Sequence, residues 1–76
     1  MSNRTTIDAR KAFCPGPMME LIAALKTKQV GDEVEVLSRD KGSANDIPLW
    51  AKKVGHQLVS NEKIEDYWSI VVRKMK

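Results

Sequence analysis

Cysteine is nearly absent from this chain: of 76 residues, only Cys14 is one. A single thiol excludes an intramolecular disulfide. Small secreted domains usually depend on such staples, so a reducing, cytoplasmic setting is expected. The lack of a second cysteine also excludes a Cys-x-x-Cys dithiol cycle. Histidine occurs once, at His56, and one His with one Cys falls short of the usual ligand set for a metal, so no metal site is expected. Aromatics make up 5% of the residues, and Trp50 and Trp68 fall on apolar stripes where core packing is their ordinary use. Long apolar runs are missing. The longest aliphatic stretch, Leu21 to Leu25, is far short of the ~20 residues of a membrane-spanning helix. Met1 to Thr6 has no apolar stretch behind its charge, so no signal peptide is expected. No single sign of charge dominates. Thirteen Lys and Arg against ten Asp and Glu leave a net +3, which permits an acidic partner or nucleic acid and argues for neither.

What is present describes a small globular chain. Hydrophobic residues are 42% and charged residues 30%, too apolar for disorder. The length suits one domain, residues 1–76, with a core worth only ~3–5 kcal/mol of net stability. A large substrate pocket is not expected, which puts any chemistry near the surface.

Periodicity orders the elements as β-α-β-α-β-β. Thr5 to Ala9 alternates and carries β-branched residues, predicting a first strand. Met18, Leu21, Ile22 and Leu25 recur at helical spacing, and Val30-Gly31-Asp32 reads as the stop. Glu33 to Ser38 alternates again, with Glu33 and Glu35 on the solvent side. A polar loop then runs from Arg39 to Asn45. Asp46 followed by Ile47-Pro48 reads as an N-cap with proline in the first turn, opening a second helix that ends at Gly55. Gln57 to Ser60 is a third strand, Asn61 to Asp66 a hairpin connection, and Tyr67 to Arg73 a fourth strand with Trp68, Ile70 and Val72 on one face. Two helices on one face of a four-stranded sheet would bury both apolar sets and leave the other face wet.

Cys14-Pro15-Gly16-Pro17 is the segment whose chemistry asks for explanation. With Cys14 as N-cap of the first helix, the Met18 amide bonds the Cys14 carbonyl. Pro15 and Pro17 have no amide hydrogen. Gly16 is then the one free donor, at a position an N-cap side chain normally reaches. A thiolate there would be favoured by that amide and by the positive helix end, and helix N-termini are a known setting for lowered thiol pKa values. Arg10 and Lys11 add positive charge nearby. The opposing reading is a buried structural cysteine, the usual fate of a free thiol; two prolines and a basic approach favour exposure instead. Met19 lies off the core stripe and is a candidate partner contact.

The motif matches the Cys-Pro-x-Pro of the TusA family of sulfur-carrier proteins, also called SirA-like, and the chain resembles that family over roughly residues 6 to 74. Asp8-Ala9-Arg10 before the motif, Val30-Gly31-Asp32, Asp46-Ile47-Pro48 and Val72-Arg73-Lys74 all have counterparts there. The resemblance implies an α/β two-layer sandwich: a mixed four-stranded sheet of order 1-2-4-3 with two helices on one face. It implies that Cys14 carries sulfane sulfur as a persulfide, or a thiosulfonate, without a cofactor. A donor such as a cysteine desulfurase or rhodanese would load it, and an acceptor such as a DsrE-like relay protein would unload it, with no membrane and no direct nucleic-acid contact expected. The chain departs from the family where Lys11-Ala12-Phe13 replaces a frequent Gly-Leu-x, and where Lys41 and Asn45 replace a frequent proline and arginine. These segments, with Asp46, bear on partner choice. Two rival readings of the residues are a cysteine-based redox regulator and a small basic nucleic-acid-binding module.

Overall fold

The computed structural model describes residues 4–13 and 16–76. Along these run β1 (Arg4–Asp8), α1 (Gly16–Lys26), β2 (Glu33–Ser38), α2 (Lys41–Val54), β3 (Gln57–Ile64) and β4 (Tyr67–Arg73). The sheet order is β1-β2-β4-β3. β1 and β2 are parallel, joined through α1, whereas β4 runs antiparallel to both of its neighbours. The fold is thus a mixed sheet of order 1-2-4-3 with two helices.

Alternation along the strands decides which side the helices cover. Val34, Val36, Ile70 and Val72 are fully buried and meet Leu21 and Leu25 of α1 and Ala44, Ile47 and Ala51 of α2 in one core. Met18, Trp50 and Trp68 pack on its margin, in keeping with their places on the apolar stripes. Because β1 and β2 are parallel, their C-terminal ends share one end of the sheet, and both helices begin there.

The second helix begins earlier than its sequence suggests. Asp40, not Asp46, is the N-cap: its carboxylate accepts from the Gly42 and Ser43 amides at 3.3 and 3.2 Å and from Ser43 Oγ at 2.9 Å. Asp46 lies on the exposed side within α2, and Pro48 is interior to the helix. A proline there normally strands the carbonyl one turn back. Here that carbonyl, on Ala44, accepts from Asn61 Nδ2 of β3 at 3.1 Å, so the helix continues through the proline. Gly55, at φ +91°, closes α2 in the left-handed region, where a Cβ would be strained.

Three further boundaries move. β1 is shifted one residue toward the N-terminus. α1 ends at Lys26, ahead of the Gly31 stop, and its last turn is closed by Lys74 Nζ, which donates to the Leu25 and Lys28 carbonyls at 2.8 and 2.7 Å. β3 continues to Ile64, past a bulge between Leu58 and Ser60, so the hairpin connection is only Glu65-Asp66.

The helix-free face is less wet than alternation implies. Glu33 is 5% exposed. Arg4 donates to its Oε1 from Nε and Nη2 at 3.0 and 2.7 Å, and Arg73 to its Oε2 at 3.2 and 2.6 Å. Arg73 also donates to Gln57 Oε1 at 3.4 Å. Arg4, Glu33, Arg73 and Gln57 are register partners, so one polar row crosses all four strands. Beside it, Glu35 accepts from Thr6 Oγ1 and Ser69 Oγ.

Candidate functional site

Cys14 and Pro15 lie outside the described residues. β1 ends at Asp8 and hands over through Ala9, whose amide still bonds the Leu37 carbonyl at 2.8 Å. The Ala12 amide bonds the Ala9 carbonyl at 3.0 Å, which turns the chain back toward the helices. On the far side, the Gly16 amide donates to the Phe13 carbonyl at 2.7 Å. Residues 13 and 16, which flank Cys14 and Pro15 in the sequence, are thereby pinned together.

That bond corrects one expectation. The Gly16 amide is engaged by the Phe13 carbonyl and is not the free donor assigned to the sulfur. The remaining electrostatic aid is the positive end of α1, which starts at Gly16, two residues beyond Cys14. Pro17, in the first helical turn where a missing amide hydrogen costs nothing, is buried and anchors that end on the core. Gly16 has little room: a Cβ there would stand 3.2 Å from the Ala12 Cβ.

The basic approach is organised by a carboxylate. Asp8 Oδ1 accepts from the Arg10 amide and Nε at 3.2 and 2.8 Å, and Oδ2 accepts from Nη2 at 2.8 Å. These bonds hold the Asp8 carboxyl well below the usual carboxylate range and raise the Arg10 guanidinium. The guanidinium also lies over the Tyr67 ring, 5.1 Å from its centroid. Arg10 is therefore fixed by Asp8 and Tyr67. Lys11 is exposed and enters no ion pair or side-chain hydrogen bond among the described residues. Arg39, just beyond β2, joins them at the same end of the sheet; Asp8, Arg10, Lys11 and Arg39 line a cleft of about 330 Å3. Sequence reasoning passed over Arg39 because its proximity to Arg10 depends on the parallel pairing of β1 with β2.

Two exposed apolar side chains flank the motif in the sequence. Phe13 is 78% exposed and Met19 62%. Met19 heads a shallow groove shared with Ile22, Ala23, Lys26 and Thr27. Asp46 is exposed on α2. His56 is at the other end of α2: its Nδ1 accepts from the Met75 amide at 3.1 Å, and its ring centroid is 5.7 Å from that of Trp50. Among the described residues no group of three or more His, Cys, Asp and Glu side chains could hold a metal ion.

Comparison with known proteins agrees with this architecture. The family model described as "Sulfurtransferase TusA" matches residues 5–74. A protein of Archaeoglobus fulgidus provisionally named a sulfur carrier protein is 60% identical over 70 residues, 92% of this chain and 96% of that one. The sulfur carrier protein TusA of Pseudomonas syringae is 31% identical over 68 residues, 90% of this chain and 81% of its own length. Among solved structures, a SirA-like protein from Desulfitobacterium hafniense superposes with a TM-score of 0.81 at 26% identity, covering 95% of this chain and 99% of that one. With the motif, the 1-2-4-3 sheet and a family match over nearly its whole length, this chain belongs to the TusA family.

Proposed function

We propose that this protein, with residues 1–76 as one unit, is a sulfur carrier whose Cys14 accepts sulfane sulfur and passes it to a second protein. The observation that carries the reading is the Phe13–Gly16 pin at the head of α1. It sets the residues on either side of the motif cysteine at the head of a helix, where negative charge is favoured. The names of the relatives point the same way.

In this reading the Cys14 thiolate attacks the outer sulfur of a donor persulfide, R–S–SH. One S–S bond forms and one breaks, giving Cys14–S–SH and releasing R–S⁻. An acceptor thiolate then attacks the outer sulfur of the Cys14 persulfide and restores the Cys14 thiolate. The two exchanges involve no net oxidation, so no metal or redox cofactor enters. Pro15, Gly16 and Pro17 shape the turn, and Arg10 and Lys11 set the local field. Met19 and Asp46 are surface contacts for donor and acceptor. A cysteine desulfurase or rhodanese fits as donor and a DsrE-like protein as acceptor. A reducing cytoplasm is the setting in which such a thiolate persists; among the described residues no helix is long and apolar enough to cross a membrane. A nucleic-acid module would need several exposed aromatic platforms, whereas Trp50 and Trp68 pack against the core and Phe13 is the one strongly exposed aromatic ring among the described residues.

Intact mass after incubation with a persulfide donor tests the reading. The expected result is a gain of one or more sulfur atoms, absent in Cys14→Ser and reversed by a thiol acceptor. A redox regulator would instead gain oxygen from peroxide and none of the donor's sulfur. Absence of any Cys14-dependent sulfur gain overturns the carrier reading.

A further inference from the structure

We propose that the cleft between the ends of β1 and β2 is the docking point for an acidic segment of the relay partner, with Lys11 and Arg39 as its reading residues. The inference rests on the carrier reading for its occupant, because a partner cysteine that reaches residue 14 must cover the adjoining surface. Three cations converge there from two separate strand ends: Arg10 and Lys11 after β1, and Arg39 after β2. Among the described residues two carboxylates form ion pairs with them. Asp8 is committed to Arg10, with its Oδ2 2.8 Å from Nη2. Asp66 holds Arg39 only at 3.3 Å, with both side chains more than half exposed. An exposed pair of that length contributes little on its own, so a better-placed carboxylate can displace Asp66 from Arg39. Lys11 makes no ion pair among the described residues, and its charge acts on Asp8 only at longer range.

The neighbouring surface favours a protein over a small oxyanion. Phe13, two residues after Lys11 in the chain, leaves an aromatic ring in solvent, and Met19 on α1 is a second exposed apolar side chain. A small anion in the cleft would leave both uncovered. A partner segment carrying Asp or Glu beside apolar residues would cover the ring and meet the cations together, giving charge steering with an apolar contact at its side.

The test separates docking from sulfur chemistry. Cys14→Ser protein, which cannot be loaded, is titrated into a fluorescent peptide bearing several Glu residues around a Leu, and into the same peptide with Gln for Glu; anisotropy reports binding. The acidic peptide should bind about ten-fold more tightly at low salt and lose that advantage near 0.5 M salt. Arg39→Glu should abolish the preference, and Lys11→Gln should reduce it. Asp66→Asn, which frees Arg39, should strengthen it. Equal binding of the two peptides, indifference to Arg39→Glu, or weaker binding in Asp66→Asn would overturn the proposal. So would displacement of the peptide by millimolar sulfate with no contribution from Phe13→Ser, the mark of a small-anion site. Intact-mass loading of the unmutated chain stands or falls separately, so a failed cleft and a failed carrier are told apart.

Discussion

Pro48 and Asn61 form a pair in which one residue supplies what the other lacks. Proline has no amide hydrogen for the Ala44 carbonyl, and Asn61 Nδ2 provides the missing donor from a neighbouring strand. Removing the donor leaves a part-buried carbonyl without its partner, which should cost about 1–2 kcal/mol in Asn61→Ala. Restoring the helical amide with Pro48→Ala should be nearly neutral in the unmutated background and should rescue most of the loss when combined with Asn61→Ala. A double-mutant cycle from urea unfolding should therefore give a coupling of about 1 kcal/mol. Strictly additive effects would mean that the Asn61 side chain does not compensate the proline. The same pair explains a boundary that the sequence conceals. A proline two residues after Asp46 looks like a first turn, and nothing local reveals that an asparagine thirteen residues later lets it sit in mid-helix. Asp40, the true cap, is preceded by Arg39 and followed by Lys41 and Gly42, which read as loop.

At the scale of elements, the β3–β4 hairpin carries a local strain that is open to correction. Its connection has only two residues, and Glu65 sits at φ +55°, a left-handed conformation that costs an ordinary L-residue about 1–2 kcal/mol. Turns of this length usually place Gly or Asn there. Glu65→Gly should stabilise the protein by about 0.5–1 kcal/mol, after the added chain entropy of glycine in the unfolded state is deducted. For a domain of this size that is a rise in melting temperature of roughly 2–8 °C. Glu65→Ala keeps the Cβ and should give no comparable rise; equal effects of Gly and Ala would remove strain as the cause. The strained turn also hides the true length of the hairpin connection in the sequence. Without Gly or Asn to mark it, the polar run Asn61 to Asp66 resembles a loop, although Asn61 to Ile64 continue an edge strand whose side chains meet solvent. By contrast, β2, β4 and the α1 stripe were legible because burial on one face imposes a period that composition displays directly. The motif was legible as well, but the Gly16 amide was not: its engagement depends on how the chain turns before the helix, and the Phe13 carbonyl leaves no compositional trace.

For the molecule as a whole, titration sets how stability depends on pH. Asp8 and Glu33 are held below the usual carboxylate range by the arginines that donate to them. His56 is held below its ordinary 6.5 by burial first, then by the charges of Lys74 and Lys76. In each case the unfolded chain binds the proton more readily, so stability is complete at high pH and declines as pH falls. The decline has two stages. The first begins as pH drops through the histidine's ordinary value of 6.5, because the acceptor Nδ1 facing the Met75 amide must take a proton. The second begins below the ordinary 4.5 of Glu33, whose carboxylate joins β1, β2 and β4 through Arg4 and Arg73. The exposed Asp8–Arg10 pair contributes little to either, being screened by solvent. Urea midpoints followed from pH 8 down to about 3 should therefore fall in two steps. His56→Asn should flatten the upper step and leave the lower one. Glu33→Gln should lose about 2 kcal/mol at neutral pH by breaking a largely buried, four-bond cluster, and should abolish most of the lower step. A lower step that survives Glu33→Gln unchanged would show that the crosswise row does not govern acid stability, whatever order it gives to the sheet.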